Sequence, residues 1–230
     1  MKKRLTKFAQ VAGIMLALVF TFSCSSDKDD DNSGGGGGST FKDDRDGKSY
    51  KYVKIGDQTW MAENLNYRGT EPDTLGKCND DPALCKKYGR WYEWATAMVL
   101  SDNCNSNSCV SQISAKHKGI CPSGWHIPSN EEWTTLETYV ENDNGCTYCA
   151  SKYLKAKAPD WDGEDKYGFA ALKSGRSSGD GISKCENYWW SAKDDGKTAY
   201  ARCIRYDGEF RINTHELKDN LFSVRCVKDN

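Results

Sequence analysis

The stretch Cys121-Pro-Ser-Gly-Trp-His-Ile-Pro-Ser-Asn-Glu-Glu-Trp-Thr-Thr-Leu136 decides the fold, because it fixes both the start and the buried face of a helix. Ser129 and Glu132 form a capping box, in which the serine oxygen accepts from the amide of Glu132 and the carboxylate accepts from the amide of Ser129. Pro128 disfavours helix before that point. The apolar residues that follow at helical spacing are Trp133, Leu136 and Val140. We therefore predict a rigid loop that leads into a buried helix.

His126 lies within this stretch and has two interpretations. A catalytic histidine needs a nucleophile beside it, and no serine or cysteine nucleophile motif surrounds it. A structural histidine needs only burial and hydrogen bonds, and tryptophan, isoleucine and two prolines lie close to it in the sequence. The sequence favours the structural interpretation.

Residues 1–23 have the organisation of a signal peptide, with a basic start and a short apolar run from Val11 to Phe22. That run is too short for a typical membrane-spanning helix. It ends at Thr21-Phe22-Ser23-Cys24, which resembles a bacterial lipobox and predicts a lipid on Cys24. The alternative is an ordinary secretory signal followed by an unrelated cysteine.

Residues 24–40 are acidic and glycine-rich, and this composition predicts a flexible tether. The acidic run from Asp27 to Asp31 resembles signals that send some lipoproteins of the Bacteroidetes type to the outer face of the outer membrane. The alternative is a solvated linker. We expect an exported protein, lipid-anchored to the bacterial outer membrane and exposed on the cell surface.

The charge balance argues against a nucleic-acid partner. Without the four basic residues of the signal peptide, 28 of the 32 basic residues remain against 33 acidic ones, a net charge of −5. Nucleic-acid-binding domains instead carry an excess of positive charge. The partners that we expect are the membrane, through the predicted lipid, and an extracellular polysaccharide. The sequence leaves the oligomeric state open.

The other ten cysteines predict five disulfides, because their number is even and the chain is exported. Zinc is disfavoured, since the cysteines are dispersed and the histidines number only three. Three pairs lie close in the sequence, and we predict the local bridges Cys78–Cys85, Cys104–Cys109 and Cys146–Cys149. The last pair is also a Cys-x-x-Cys ahead of a helical run, which leaves thiol redox chemistry as an alternative.

Periodicity and turn residues predict the other elements. A hairpin is expected over Tyr50–Leu65, with Gly56-Asp57 as its turn. Helices are expected over Arg90–Leu100 and Ala150–Ala158. The further predicted strands are Phe169–Leu172, Asn187–Ala192, Thr198–Tyr206, Glu209–Asn213 and Phe222–Val227.

Several of these segments resemble the Fibrobacter succinogenes major paralogous domain. They are Lys48–Tyr67 with its Trp-Met-Ala-Glu-Asn-Leu, Tyr88–Met98, Cys121–Trp133 with its Cys-Pro-x-Gly-Trp-His-x-Pro, and Phe222–Lys228. The resemblance assigns residues 41–230 to one such domain. It implies an α+β, C-type-lectin-like domain, similar to sulfatase-modifying factors. Such a domain has a small mixed or antiparallel sheet, two to three helices and long disulfide-stapled loops.

Two longer bridges are expected within this domain. Cys121 begins the rigid loop before the predicted helix and Cys226 lies on the predicted strand Phe222–Val227, so we predict that they pair. Cys185 and Cys203 are expected to join neighbouring strands.

The predicted ligand site is the polar loop from Asp160 to Tyr167. Sugar rings present C–H faces that pack on aromatic surfaces, and Trp161 and Tyr167 are the expected platforms. The expected hydrogen-bond partners or calcium ligands are Asp160, Asp162, Glu164 and Asp165. The alternatives are a tryptophan packed under its loop and an ordinary acidic turn. Tyr206 with Asp207 is a weaker second site.

Three functions compete. The export signal, the loops and the aromatic content favour a non-catalytic cell-surface binding module, with carbohydrate as its first candidate ligand and no cofactor except the calcium alternative. A structural or adhesion protein without a small ligand is the main alternative. An enzyme of the sulfatase-modifying type is less favoured, because every cysteine has a plausible partner and no cluster of acid, base and nucleophile is present.

Overall fold

The computed structural model describes residues 39–70, 75–78, 82–175, 185–205 and 207–230, and these residues belong to one compact unit. The predicted signal peptide, Cys24 and most of the tether lie outside the described residues. Ser39 and Thr40, predicted as the end of the tether, instead begin the first strand. No helix in the described part of the chain has the length and apolar character needed to cross a bilayer.

The described residues contain ten strands and four α-helices. The strands are β1 Ser39–Lys42, β2 Ser49–Ile55, β3 Gln58–Met61, β4 Trp91–Tyr92, β5 Trp125–His126, β6 Cys185–Asp195, β7 Thr198–Arg205, β8 Phe210–Leu217, β9 Phe222–Ser223 and β10 Val227–Lys228. The helices are α1 Pro82–Tyr88, α2 Trp94–Met98, α3 Asn130–Asn144 and α4 Ala150–Leu154.

The strands form two five-stranded sheets, ordered β1-β2-β3-β10-β5 and β4-β9-β6-β7-β8. Every pair in the first sheet is antiparallel. In the second, β6 and β9 run parallel. The α+β class is confirmed, but the fold has two sheets where a single small one was expected.

The segment around β9 and β10 connects the two sheets. The sequence predicted one strand over Phe222–Val227, whereas β9 belongs to the second sheet and β10 to the first. The amide of Met61 donates to the carbonyl of Cys226 at 3.0 Å, and the amide of Leu65 donates to the carbonyl of Val224 at 2.8 Å. These two bonds attach β3 and the residues that follow it to the segment between β9 and β10.

Two predicted elements are wrong. Arg90–Leu100 is not one helix, because Trp91 and Tyr92 pair with Ser223 and Phe222 as strand β4 and only α2 is helical. Phe169–Leu172 is not a strand; within it, only an isolated bridge between Lys155 and Ala171 is present. In both segments, contacts with residues distant in the sequence decide the backbone conformation over local periodicity.

The capping box before α3 is confirmed. The amide of Glu132 donates to Ser129 Oγ at 3.1 Å, and the amide of Ser129 donates to Glu132 Oε2 at 2.8 Å. The predicted apolar face is fully buried at Trp133, Leu136 and Val140. Trp133 packs on the first sheet through Trp60, at 4.5 Å between ring centroids, and on the second through Trp189, at 5.6 Å. Helix α3 therefore contacts both sheets.

His126 has a structural position, as the sequence favoured. It is 1 % exposed, and its Nδ1 lies 2.6 Å from Asp229 Oδ1 while its Nε2 lies 2.8 Å from Glu132 Oε1. Burial opposes the charged imidazole, but the hydrogen bonds to these two carboxylates raise the pKa of His126. The histidine therefore joins the capping box to the end of the chain.

A buried polar cluster around Asn64 also ties the sheets together. Asn64 Oδ1 accepts from Arg225 Nε at 3.2 Å, from Arg225 Nη2 at 3.0 Å and from Trp189 Nε1 at 2.8 Å. Arg225 also donates to the carbonyl of Phe169 and lies over its ring, 4.3 Å from the centroid. Complete burial lowers the pKa of Arg225 to about 9. Asn64 and the carbonyl of Phe169 supply the hydrogen-bond acceptors that a buried guanidinium requires.

All five predicted disulfides are present. They are Cys78–Cys85, Cys104–Cys109, Cys121–Cys226, Cys146–Cys149 and Cys185–Cys203. The longest closure joins residues 105 apart in the sequence and links the loop before β5 to the segment before β10. The other bridges close short loops or join neighbouring strands.

Candidate functional site

Trp161 does not form the exposed platform that the sequence analysis assigned to it. Its side chain is 8 % exposed and packs in the apolar core that also contains Trp133 and Leu154. The loop crosses α4 so closely that a Cβ at Gly163 would lie 2.1 Å from the carbonyl oxygen of Lys155. This close approach turns the tryptophan inward, which is the packed alternative.

The acidic residues of this loop point to separate partners. Asp160 lies 2.6 Å from Lys87 Nζ, Asp162 lies 2.6 Å from Lys155 Nζ, and Glu164 lies 2.8 Å from Lys152 Nζ, while Asp165 accepts from the amide of Ala170 at 2.8 Å. Because calcium needs six or more converging oxygens, this arrangement does not fit the calcium alternative. Among the described residues, no group of three or more histidine, cysteine or acidic side chains could hold a metal ion.

The second predicted site is described only in part, because Tyr206 lies outside the described residues. Asp207 is exposed in the turn between β7 and β8. Its carboxylate forms an ion pair with Arg205 at 2.7 Å.

Tyr167 is the predicted platform that reaches the surface, and it lies against the C-terminal half of α3. Its ring is 6.2 Å from that of Tyr139, with an angle of 66° between the planes. Tyr139 is 40 % exposed. We define the tyrosine surface by these rings and their polar neighbours: Tyr139, Tyr153, Tyr167, Asp143, Asn144 and Lys166.

A closed set of hydrogen bonds fixes the ring of Tyr167. Its hydroxyl donates to Asp143 Oδ2 at 2.6 Å and accepts from Asn144 Nδ2 at 2.7 Å. Lys166 Nζ donates to Asp143 Oδ2 and to Asn144 Oδ1, each at 2.8 Å. Asn144 also donates to the carbonyl of Val140 at 2.6 Å. The loop and the end of α3 are therefore held in one arrangement.

Tyr153 of α4 completes the aromatic part of the surface. The ammonium of Lys166 lies 5.4 Å from the ring centroid of Tyr167 and 5.8 Å from that of Tyr153. The amide of Lys166 donates to the carbonyl of Tyr153 at 3.0 Å. A single lysine thus lies within cation–π distance of two half-buried tyrosines.

The charges of this network are fixed at neutral pH. The hydrogen bond from Lys166, followed by that from Tyr167, holds the pKa of Asp143 below its usual range. Burial and the hydrogen bond to Asp143 raise the pKa of Tyr167. The carboxylate is therefore ionised and the phenol protonated, so the donor and acceptor roles are unambiguous.

An open, shallow groove adjoins the tyrosine surface on α3. Its lining residues are Thr134, Thr135, Thr138, Tyr139 and Asn142. The hydroxyl of Thr135 donates to the carbonyl of Glu131 at 3.0 Å, which orients its side chain. The groove offers methyl groups, hydroxyls and an amide beside an exposed ring. This combination suits a ligand with apolar faces and many hydroxyl groups.

The sequence analysis missed most of this surface. Tyr139 directly precedes the buried Val140 but lies off the apolar face, and an aromatic residue on the polar side of an amphipathic helix is the signal that could have identified it. Asp143, Asn144 and Lys166 carry no motif. Only the packing of the loop against α3 brings them together.

Comparisons with known proteins give one family. The model of the Fibrobacter succinogenes major domain matches residues 53–228, which is more than half of the chain. No curated protein matches the chain, and no solved structure does.

Proposed function

The chain belongs to the Fibrobacter succinogenes major domain family, and we propose that it is a non-catalytic binding module of the bacterial cell surface whose ligand is an extracellular carbohydrate. The observation that carries this proposal is the tyrosine surface. Tyr139 is exposed, and hydrogen bonds with the ionised Asp143 and with Asn144 fix the half-buried ring of Tyr167.

This arrangement favours binding for two reasons. Tyrosine offers a large amphipathic contact area at a low cost in conformational entropy. Hydrogen bonds within the protein hold the network around Asp143, so binding does not have to order it. A sugar ring stacked on Tyr139 would place its hydroxyls within reach of Asn142 and the threonines of the groove.

The non-catalytic part of the proposal rests on the groups that an enzyme would need. All ten cysteines from Cys78 to Cys226 are in disulfides, which supports a role without a cysteine nucleophile. Both ring nitrogens of His126 are bound to carboxylates inside the fold. These ten cysteines and His126 are therefore not available to act on a ligand at the tyrosine surface.

The location and the finer fold are parts of the same proposal. Five disulfides support export to an oxidising compartment. The lipobox-like sequence supports an anchor on Cys24 in the outer membrane, with the domain on the cell surface. The two sheets, the few helices and the long bridged loops support a C-type-lectin-like layout.

Binding is tested with the Cys24→Ala protein on insoluble polysaccharides and on a glycan array, with and without a calcium chelator. We expect retention on at least one glycan, about tenfold weaker for Tyr139→Ala, because one aromatic contact is worth up to about 1.5 kcal/mol. Tyr139→Phe keeps the ring and should bind normally. Val110→Ala, which shortens another exposed apolar side chain, is the matched control.

Two results would contradict the proposal. Retention that is unchanged in both Tyr139→Ala and Tyr167→Ala would exclude the tyrosine surface as the site. Absence of binding to every glycan would favour the structural or adhesion role instead.

A further inference from the structure

Tyr148 is the most exposed of the large apolar side chains in the described residues, at 74 %. It lies nine positions after Tyr139, in the four-residue loop closed by Cys146–Cys149. Leaving an aromatic ring in water forgoes the free energy of its burial. No contact within the described fold accounts for the outward position of this ring.

The backbone of Tyr148 is held in an unusual conformation. Its φ of 57° lies in the left-handed region, which bulky residues rarely adopt. The Cys146–Cys149 disulfide joins the two ends of the loop. At the start of α4, the amide of Lys152 donates to the carbonyl of Cys149 at 3.0 Å. Such a conformation persists where its surroundings impose it, and it is found preferentially at functional positions.

The loop of Tyr148 is continuous with the tyrosine surface. Helix α3 supplies Asp143 and Asn144 directly before the loop, and α4 supplies Tyr153 directly after it. The path between these elements is short: Gly145 ends α3, with its amide donating to the carbonyl of Asn142 at 3.2 Å.

On its other side, the loop meets the turn between β7 and β8. The hydroxyl of Ser151 donates to the carbonyl of Gly208. Hydrogen bonding to Glu209 raises the pKa of Arg211, with a smaller contribution from Tyr148. Ser151, three positions after Tyr148, therefore links this part of the chain to the turn between β7 and β8.

We propose that Tyr148 is a second aromatic contact for the glycan, so that the site takes an extended chain rather than a single terminal sugar. The inference rests on the proposed function and adds the substrate class. A glycan chain that contacts both Tyr139 and Tyr148 binds more tightly than one that contacts Tyr139 alone, because the two contacts are linked in one ligand. We expect a two-unit ligand to occupy the tyrosine surface alone and a longer chain to contact Tyr148 as well.

The test compares oligosaccharides of two and six units, prepared from β-glucan, xylan, chitin and α-glucan, by calorimetry with the Cys24→Ala protein. We expect six units to bind more tightly than two. Tyr148→Gly should weaken binding of the six-unit chain about tenfold and leave the two-unit ligand unchanged. Glycine suits the left-handed backbone, so this variant removes the ring without added strain.

Two further variants separate the ring from the loop. Tyr148→Phe keeps the ring and should bind like the parent protein. Thr147→Ala changes an exposed neighbour in the same disulfide loop and should have no effect.

The outcomes distinguish the two proposals. Binding that depends on Tyr139 but is unchanged in Tyr148→Gly at both lengths would overturn the second contact and leave the proposed function standing. Equal loss at both lengths would place Tyr148 inside the first site and would also refute the extended chain. If no oligosaccharide binds the parent protein, both proposals fail.

Discussion

Replacing both cysteines of the Cys121–Cys226 bridge by alanine is the sharpest test of how the domain is held together. The bridge joins residues 105 apart. In the loop-closure model a loop of this length stabilises the folded state by about 5 kcal/mol. The Cys146–Cys149 bridge joins residues only 3 apart, and the same model gives about 2 kcal/mol.

The comparison of these two double variants removes most systematic errors. Each loses two cysteines and one disulfide, and we expect the central variant to lose about 3 kcal/mol more of unfolding free energy. Urea titration followed by tryptophan fluorescence measures this, because several of the eight tryptophans are buried. Should the central variant be unfolded in buffer, titration with a stabilising osmolyte gives the same comparison.

Equal losses in the two variants would refute the reasoning, since the loop lengths differ so widely. A larger loss for Cys146 and Cys149 would refute it more strongly. It would mean that the disulfide loop of Tyr148 contributes more to the stability of the whole fold than the Cys121–Cys226 bridge does.

Two other predictions concern the pH dependence of stability through His126 and the lipid anchor on Cys24. Because the pKa of His126 is raised by Glu132 and Asp229, its stabilisation is complete below about pH 6.5 and is lost as the pH rises through the raised value. The urea midpoint of the parent protein should fall over that range, and His126→Gln should show no such fall. Separately, Cys24→Ala should move the protein from the membrane to the soluble fraction; an unchanged membrane fraction would refute the lipid anchor.

Local signals predicted the parts of the fold that depend on neighbouring residues. The capping box at Ser129 and the hairpin turn at Gly56-Asp57 each involve residues a few positions apart, and both are present. Strand β4 was missed, because its aromatic residues have helical spacing while their pairing partners lie in β9, far along the chain. The second sheet therefore could not be separated from the first by sequence pattern alone.

In the candidate site, too, the sequence indicated the residue types, whereas contacts between distant residues decided their positions. The sequence selected Tyr167 by its chemistry, and the structure places it on the surface beside Tyr139. It also selected Trp161, whose inward position depends on how closely Gly163 approaches Lys155. No local pattern reports such an approach. Composition can thus indicate which loop is rich in candidate residues, but packing decides which of them are accessible.

The bonds that hold the frame differ from those that hold the tyrosine surface, and this separation has a consequence for function. The frame depends on long-range contacts: the central disulfide, the Asn64–Arg225 cluster and the packing of Trp133 between the sheets. Apart from the contact of Tyr139 with Gly56 in the turn between β2 and β3, the tyrosine surface depends on α3, α4 and one loop, all between residues 130 and 168. Substitution at Tyr148 therefore alters an exposed ring without removing any of these frame contacts, whereas substitution at Tyr139 also removes its contact with the β2–β3 turn. Under the proposed function, ligand contacts at Tyr148 can therefore change without loss of the bonds that join the two sheets.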